Sequence, residues 1–212
     1  TKDTTVTATV ADQTGNVAAA QDITVTVTGA NDLPTASDVN LTVTEDKAAT
    51  FDLGPGGLDA VADADGDDLT VALSDTPDNG DASAMGTTVK FTPDADFNGS
   101  DSFTFTVTDG SGSFDSATAS VTVTPVNDAP VAKDDSLSAQ VGQTTSLDVL
   151  DNDIDVDGDP LTVTLNDTPA DASVNVTSDD SIAFTPDDGF AGETTFTYTV
   201  TDTSGESDTA TA

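Results

Sequence analysis

The sequence predicts an all-β protein made of antiparallel sandwiches in tandem, and three observations carry that prediction. Apolar and polar residues alternate in short runs rich in Val, Thr and Phe, which is the period of a half-buried strand. Clusters of Gly, Asp, Asn, Ser and Pro separate the runs, roughly every eight to twelve residues, as in a sandwich of short strands. Long stretches also recur: VTVTGANDLP at 25–34 returns as VTVTPVNDAP at 121–130, the mark of a repeat architecture.

In chain order the alternating runs are Val6–Val10, Ile23–Thr28, Leu41–Thr44, Leu69–Leu73, Phe103–Thr108, Val121–Thr124, Leu161–Leu165 and Phe196–Val200. None carries a sustained helical stripe. In the middle of the chain the inward positions are Val43, Phe51, Leu53, Leu69, Val71, Leu73, Val89, Phe91, Phe103, Phe105, Val107, Val121 and Val123. Phe97 and Phe190 stand in x-Phe-x-Gly turns and are expected to plug a sheet edge. Gly99 and Gly192 would supply the backbone angles that other residues avoid. Tyr198 takes the place of Phe105 in a matching strand and is expected in the core.

The repeat sets the boundaries. DSFTFTVTDGSGSFDSATASVTVTPVNDAP at 101–130 matches 3–34, and Phe97–Ala119 matches the end of the chain, FAGETTFTYTVTDTSGESDTATA at 190–212. ADADGDDLTV at 62–71 matches IDVDGDPLTV at 154–163, and Phe91–Asp94 matches Phe184–Asp187. Residues 1–33 then hold the last strands of one repeat, 34–129 a complete repeat, and 130–212 a repeat up to its last strand. Such ends are expected of a piece of a longer array. The alternative is that the opening fragment completes the open sheet edge of another copy, since an open edge is a template for pairing.

The charge narrows the function. Forty acidic residues face four lysines and no arginine, a formal charge of −36. Nucleic acid and anionic membrane surfaces are excluded as partners, because phosphate contacts need Lys and Arg. A chain so charged repels itself when folded unless cations neutralise it. The 212 residues hold no Cys, His or Trp, so no disulfide staples the fold and histidine-dependent catalysis is impossible. No run of about 18 apolar residues occurs, so no helical span is predicted.

Only three of the acids are glutamates, Glu45, Glu193 and Glu206; aspartate in such excess suits turns and metal loops. Four acidic patterns recur. One is the loop Asp63-x-Asp65-Gly66-Asp67-Asp68, with its counterpart Asp155-x-Asp157-Gly158-Asp159. The second is the aspartate that ends a strand before a Gly turn: Asp12, Asp109 and Asp202. The third is the pair Asn31-Asp32 and Asn127-Asp128. The fourth is Glu45-Asp46, with Asp94 and Asp96 further on. Ca²⁺ takes six to eight hard oxygen ligands, and carboxylates, amide oxygens and carbonyls meet at these places. Zinc lacks its His and Cys. An EF-hand opening at Asp153 fails, because its twelfth position is Thr164 in a strand where a bidentate Glu belongs. Isolated aspartates such as Asp75, Asp78 and Asp81 read as turn residues.

The string VTDGSGSFDSATASVTVTPVNDAP resembles the end of a cadherin repeat, VADADGDDLT resembles the cadherin Asp-x-Asp loop, and VTED its early glutamate. FTPDADFNGSDSFTFTVTDG and VLDNDIDVDGDPLTV resemble the cadherin-like repeats of large bacterial surface adhesins. The resemblance covers nearly the whole chain. It implies tandem Ig-like, cadherin-like antiparallel β-sandwiches in an extended array, with Ca²⁺ at each junction. Carried over, the first junction would use Asn31, Asp32, Asp63, Asp65 and Asp109. The second would use Glu45 with Asp94 or Asp96, then Asn127, Asp128, Asp155, Asp157 and Asp202. Two departures stand out: Val141 occupies the place of Glu45 in the following repeat, and the cadherin Asp-Arg-Glu motif is missing.

The expected function is a calcium-stiffened structural repeat of a cell-surface adhesin or extracellular matrix fibre, and not an enzyme. Its expected partners are calcium and other copies of itself, through sheet edges or end to end. The alternative is a polysaccharide-binding sandwich of a secreted protein; sugar sites favour exposed aromatic platforms, which this composition scarcely offers. A glycosidase would need a carboxylate pair in a distinctive cleft, and the repeated copies present no such sequence.

Overall fold

The alternating runs become strands in the structure, a computed structural model that describes residues 2–27 and 29–212. Thr28, the end of one predicted run, lies outside the described residues. The chain forms two compact units, Thr1–Thr124 and Pro125–Ala212. No helix forms among the described residues.

Unit 1 opens with a two-stranded sheet, β1 (Lys2–Ala8) against β2 (Gln21–Val27). The sandwich follows, with β3 (Thr35–Ala36), β4 (Val39–Thr44), β5 (Ala49–Asp52), β6 (Val61–Ala62), β7 (Thr70–Leu73), β8 (Gly80–Met85), β9 (Thr88–Pro93), β10 (Gly99–Thr108) and β11 (Phe114–Thr124). One sheet has the order β4-β11-β10-β7 and the other β5-β9-β8, while β3 and β6 form a short pair. Along β10, Phe103, Phe105 and Val107 are buried and the threonines between them are not. This alternation places one face of the strand on the core. The Phe91 and Phe103 rings stack there at 6.4 Å.

The ladders of this sandwich are antiparallel except one. β4 runs parallel to β11 over six residue pairs, from Val39↔Ala119 to Thr44↔Thr124. A parallel neighbour cannot be joined by a tight turn, and here the first strand of the sheet lies beside the last. Of the thirteen predicted core positions, ten are buried, while Phe51, Leu69 and Leu73 pack partly buried against them. Leu41, Ala60, Val61, Ala117 and Ala119 complete the core. Phe97 packs on its edge, and Gly99 beside it adopts φ 133°, a conformation that glycine alone tolerates well.

Unit 2 repeats the plan with β12 (Thr145–Leu147), β13 (Thr162–Leu165), β14 (Ala172–Val176), β15 (Ile182–Pro186), β16 (Thr197–Thr201) and β17 (Ser207–Thr211). Its sheets are β12-β15-β14 and β13-β16-β17. Tyr198, Ile182, Val149 and Val200 are fully buried, and Phe184 stacks on Phe196 at 6.0 Å. Tyr198 is therefore a core residue, as expected, and offers no platform for a sugar. A cavity of about 730 Å³ opens beside Phe184, Phe190 and Phe196, bounded by Leu137, Ala139 and Ala212.

Candidate metal centre

In unit 1 the loop after β6 turns sharply at Gly66, whose φ is +80°. Asp63 drives the turn. Its Oδ1 accepts the backbone N–H groups of Asp65, Gly66 and Asp67 at 2.8, 3.0 and 3.2 Å. The other oxygen, Oδ2, is buried with no hydrogen-bond partner. Asp63, Asp65 and Asp67 bring carboxylate oxygens within 4.8 Å of one another. Asp67 shows the strain of this crowding: burial, then the charges of Asp63, Asp65 and Asp109, hold its carboxyl above the usual carboxylate range.

The Asn-Asp pair closes over this loop. The Asp32 N–H donates to Asp65 Oδ2 at 2.7 Å. Asn31 Nδ2 donates to Asp109 Oδ2 at 2.8 Å and to the Asp32 carbonyl at 2.8 Å. Asp109 follows β10 and is 6% exposed. Its Oδ1 accepts from the Ser111 N–H, the Ser111 hydroxyl and the Ser113 N–H. Donation by Asn31, with help from Ser111 and Ser113, lowers its pKa to about 2. Asn31, Asp32, Asp63, Asp65 and Asp109 thus meet at one end of the unit.

Unit 2 repeats these bonds. The Asp128 N–H donates to Asp157 Oδ2 at 2.8 Å, and Asn127 Nδ2 donates to Asp202 Oδ2 at 2.7 Å. Asp155 Oδ1 accepts the Asp159 N–H, while its Oδ2 is buried without a partner, the same oxygen as in Asp63. Asp202, also 6% exposed, accepts three backbone N–H groups, from Ser204, Gly205 and Glu206. The Asn127 amide, followed by these N–H groups, holds its carboxyl below the usual range.

Glu45 follows β4 and is 1% exposed. Its N–H bonds the Thr124 carbonyl, and Asn98 Nδ2 reaches its Oε2 at 3.4 Å. The Asp96 N–H donates to Asp46 Oδ1, and Asp46 and Asp96 both take positive φ, 59° and 58°. These residues gather where β10 begins, while Asp109 lies past its other end. Ten residues of strand separate the two acidic groups, on the order of 30 Å. Asp94 is exposed; its N–H donates to the Asn79 carbonyl and its own carbonyl accepts from Phe97.

Three further acidic residues lie at these ends. Asp67 and its counterpart Asp159 belong to the loop but were not assigned as ligands. Glu206 reaches Asn127 Nδ2 with its Oε2 at 3.0 Å. The scarcity of glutamate was the signal for it, one of three in a chain otherwise supplied with aspartate.

The donor set is made of hard oxygens only. The buried, unpartnered Oδ2 atoms of Asp63 and Asp155 and the raised pKa of Asp67 are what an uncompensated cation site exhibits. Asp-x-Asp oxygens, amide oxygens and carbonyls fit Ca²⁺.

Comparison with known proteins agrees with the architecture. The sequence profile of the family described as bacterial Ig domain matches residues 31–124 and 127–212. No curated protein matches the chain. Among solved structures, human CDH23 EC21-23 aligns with 99% of this chain and 73% of its own, at 18% identity and TM-score 0.56. PcdhgB3 EC1-4 aligns with 100% of this chain and 56% of its own, at 15% identity and TM-score 0.55. Likeness at these identities shows the fold alone. An endo-fucoidan hydrolase of glycoside hydrolase family 107, MfFcnA4, aligns at 23% identity with 99% of this chain, which spans 33% of that chain. Its TM-score of 0.37 is too low to bear on activity.

Proposed function

The chain belongs to the bacterial Ig domain family, and on that premise we propose that it is a calcium-binding structural repeat of an extracellular array, non-catalytic, a spacer that holds other parts of an adhesin or matrix fibre away from the cell. The observation that supports this reading is the repeated orphan oxygen. Asp63 Oδ2 and Asp155 Oδ2 are each buried without a hydrogen-bond partner, in the same loop of both units. Burying a carboxylate oxygen unpaired is costly, and a divalent cation at that oxygen removes the cost.

The proposed ligands are Asn31, Asp32, Asp63, Asp65 and Asp109 in unit 1, and Asn127, Asp128, Asp155, Asp157 and Asp202 in unit 2. Glu45, with Asp94 or Asp96, is proposed as a further contributor. Left bare, carboxylates a few ångströms apart repel by on the order of a kcal/mol per pair even in high dielectric. Calcium reverses the sign of the local field and ties the Asn-Asp linker to the loop beneath it. The linker stiffens, and the array with it.

The test is backbone relaxation of the whole chain in calcium and in chelator. Calcium rigidifies Asn31–Asp32 and Asn127–Asp128. Replacing Asp155 and Asp157 together by Ala abolishes the response at 127–128 and leaves that at 31–32. Equal linker mobility with calcium and with chelator would refute the reading.

A further inference from the structure

Four aspartates outside the metal loops make an arrangement that the two units repeat atom for atom. In unit 1, Asp115 on β11 accepts the Ala36 N–H of β3 through Oδ2 at 2.8 Å. Asp38, just before β4, accepts the Thr118 N–H of β11 through Oδ1 at 2.8 Å. Each segment thus presents a carboxylate to a backbone amide of the other. In unit 2, Asp208 Oδ2 accepts the Ala132 N–H at 3.0 Å, and Asp134 Oδ1 accepts the Thr211 N–H at 2.8 Å. The unused oxygen of Asp115 binds the Ser116 N–H, and that of Asp208 binds the Thr209 N–H. None of the four belongs to a carboxylate cluster able to hold a cation among the described residues.

We infer that each unit carries a reciprocal aspartate latch that fastens its opening segment to its last strand, and that this latch bears tension applied along the chain. The topology gives the reason. Tension on unit 1 enters through Asn31–Pro34 and leaves past Thr124. Because β4 and β11 are parallel, the pull slides one strand along the other and loads their ladder in shear. The latch sits at Ala36 and Asp38, immediately before the first rung at Val39↔Ala119, where the load arrives. In unit 2 the segment at Asp135 forms no strand beside β17, and one bond there, from the Asp135 N–H to the Thr211 carbonyl at 2.9 Å, lies next to the latch. Charge-assisted bonds are about twice as strong as neutral ones. A chain with four lysines and no arginine has few cations for cross-strand ion pairs, and backbone amides are the donors left to its carboxylates.

The spacer reading supplies the tension, but the latch needs no calcium. Its test is therefore run in chelator, where failure leaves the metal reading standing. The chain has no cysteine, so thiols added at its two ends give unique handles for stretching the whole protein. The wild type is expected to unfold in two events. Asp38→Ala with Asp115→Ala lowers the rupture force of one event, and Asp134→Ala with Asp208→Ala lowers that of the other. Amide exchange on the same variants reads the bonds directly. In the first, the Ala36 and Thr118 amides exchange about tenfold to a hundredfold faster, while Phe105 and Val107 stay protected. Should the double variant fail to fold, Asp115→Ala alone decides: the Ala36 amide is released and that of Thr118 is held. Unchanged exchange at Ala36, or released amides with an unchanged rupture force, overturns the inference.

Discussion

Beneath its opening segment unit 1 places Val39, Ala60, Val61 and Phe105 in an apolar cluster. Unit 2 has Asp135, Asn152, Asp153 and Tyr198 at the same places of the repeat. The Tyr198 hydroxyl donates to Asp135 Oδ2 at 2.6 Å and lies 2.9 Å from the Lys133 carbonyl. Asn152 Nδ2 donates to Asp135 Oδ1 and to the Asp134 carbonyl, and Asp153 Oδ1 accepts the Lys133 N–H. The acidic ends of the two units nevertheless keep the same linker bonds, Asn31 to Asp109 and Asp32 to Asp65 in one, Asn127 to Asp202 and Asp128 to Asp157 in the other. The loop and linker therefore fix the geometry of the acidic end, whatever the chemistry of the core beside them. The four core positions change as a set, because a buried hydroxyl needs an acceptor and a buried carboxylate needs donors. The set is incompletely satisfied, since Asn152 Oδ1 and Asp153 Oδ2 are buried without hydrogen-bond partners.

The sharpest way to break this comparison is to move one member alone. Phe105→Tyr puts a hydroxyl into the apolar cluster of unit 1, where Val39 stands in the place of the Asp135 carboxylate. The expected loss is about 2–4 kcal/mol, from overpacking and an unmet hydrogen bond, read from the unit 1 transition in urea. Tyr198→Phe in unit 2 removes a donor from Asp135 and should cost less, about 1–2 kcal/mol. Replacing the whole unit 2 set with its unit 1 counterparts, Asp135→Val, Asn152→Ala, Asp153→Val and Tyr198→Phe, should leave stability within about 1 kcal/mol of wild type or raise it, as apolar replacement of a buried polar group often does. A cost equal to the sum of the single changes would show that the four act separately.

Acid sharpens the same contrast, again in chelator. Asp109 in unit 1 is lowered to about 2 from an ordinary 3.8, so the stability it contributes is present above pH 4 or so and is lost as pH falls toward 2. Asp202 gives unit 2 the same dependence. Asp153 opposes it. Burial, with Asp135 and Asp208 nearby, raises its carboxyl, and a raised acid contributes stability that is present below the ordinary value and lost as pH rises through the shifted one. Unit 1 has a raised carboxyl of its own in Asp67, but Asp52 and Asp115 join Asp109 among its lowered ones, whereas in unit 2 Asp179 joins Asp202; unit 2 should therefore lose less than unit 1 on acidification, and Asp153→Val should steepen its response. A pH series of urea transitions checks both.

Much of this was legible in the sequence, for definite reasons. Alternation of Val, Phe and Thr marks β10 and β11 because large apolar side chains must face the core at every second position. The repeat made the Asn-Asp and Asp-x-Asp pairs visible, and the structure brings each set together within its unit. β8 was not singled out, since its Asp, Ala and Ser carry little apolar contrast; β14 was passed over although Val174 and Val176 alternate with Ser173 and Asn175. The parallel pairing of β4 with β11 leaves no local trace, because register between distant strands is not written in either one. Asp38 and Asp115 were not singled out, because nothing in their neighbours announces a backbone amide some 80 residues away.

Titration of the whole chain with calcium, by calorimetry, tests the metal-centre reading most directly. Extracellular modules bind in the ~10⁻⁴–10⁻³ M range, and saturable binding there to at least one ion in each unit is predicted. Asp63→Ala with Asp65→Ala should remove the unit 1 ion and spare the other; Asp155→Ala with Asp157→Ala should do the reverse. Absence of saturable heat up to about 10 mM calcium, well past that range, or isotherms that all four substitutions together leave unchanged, would contradict it.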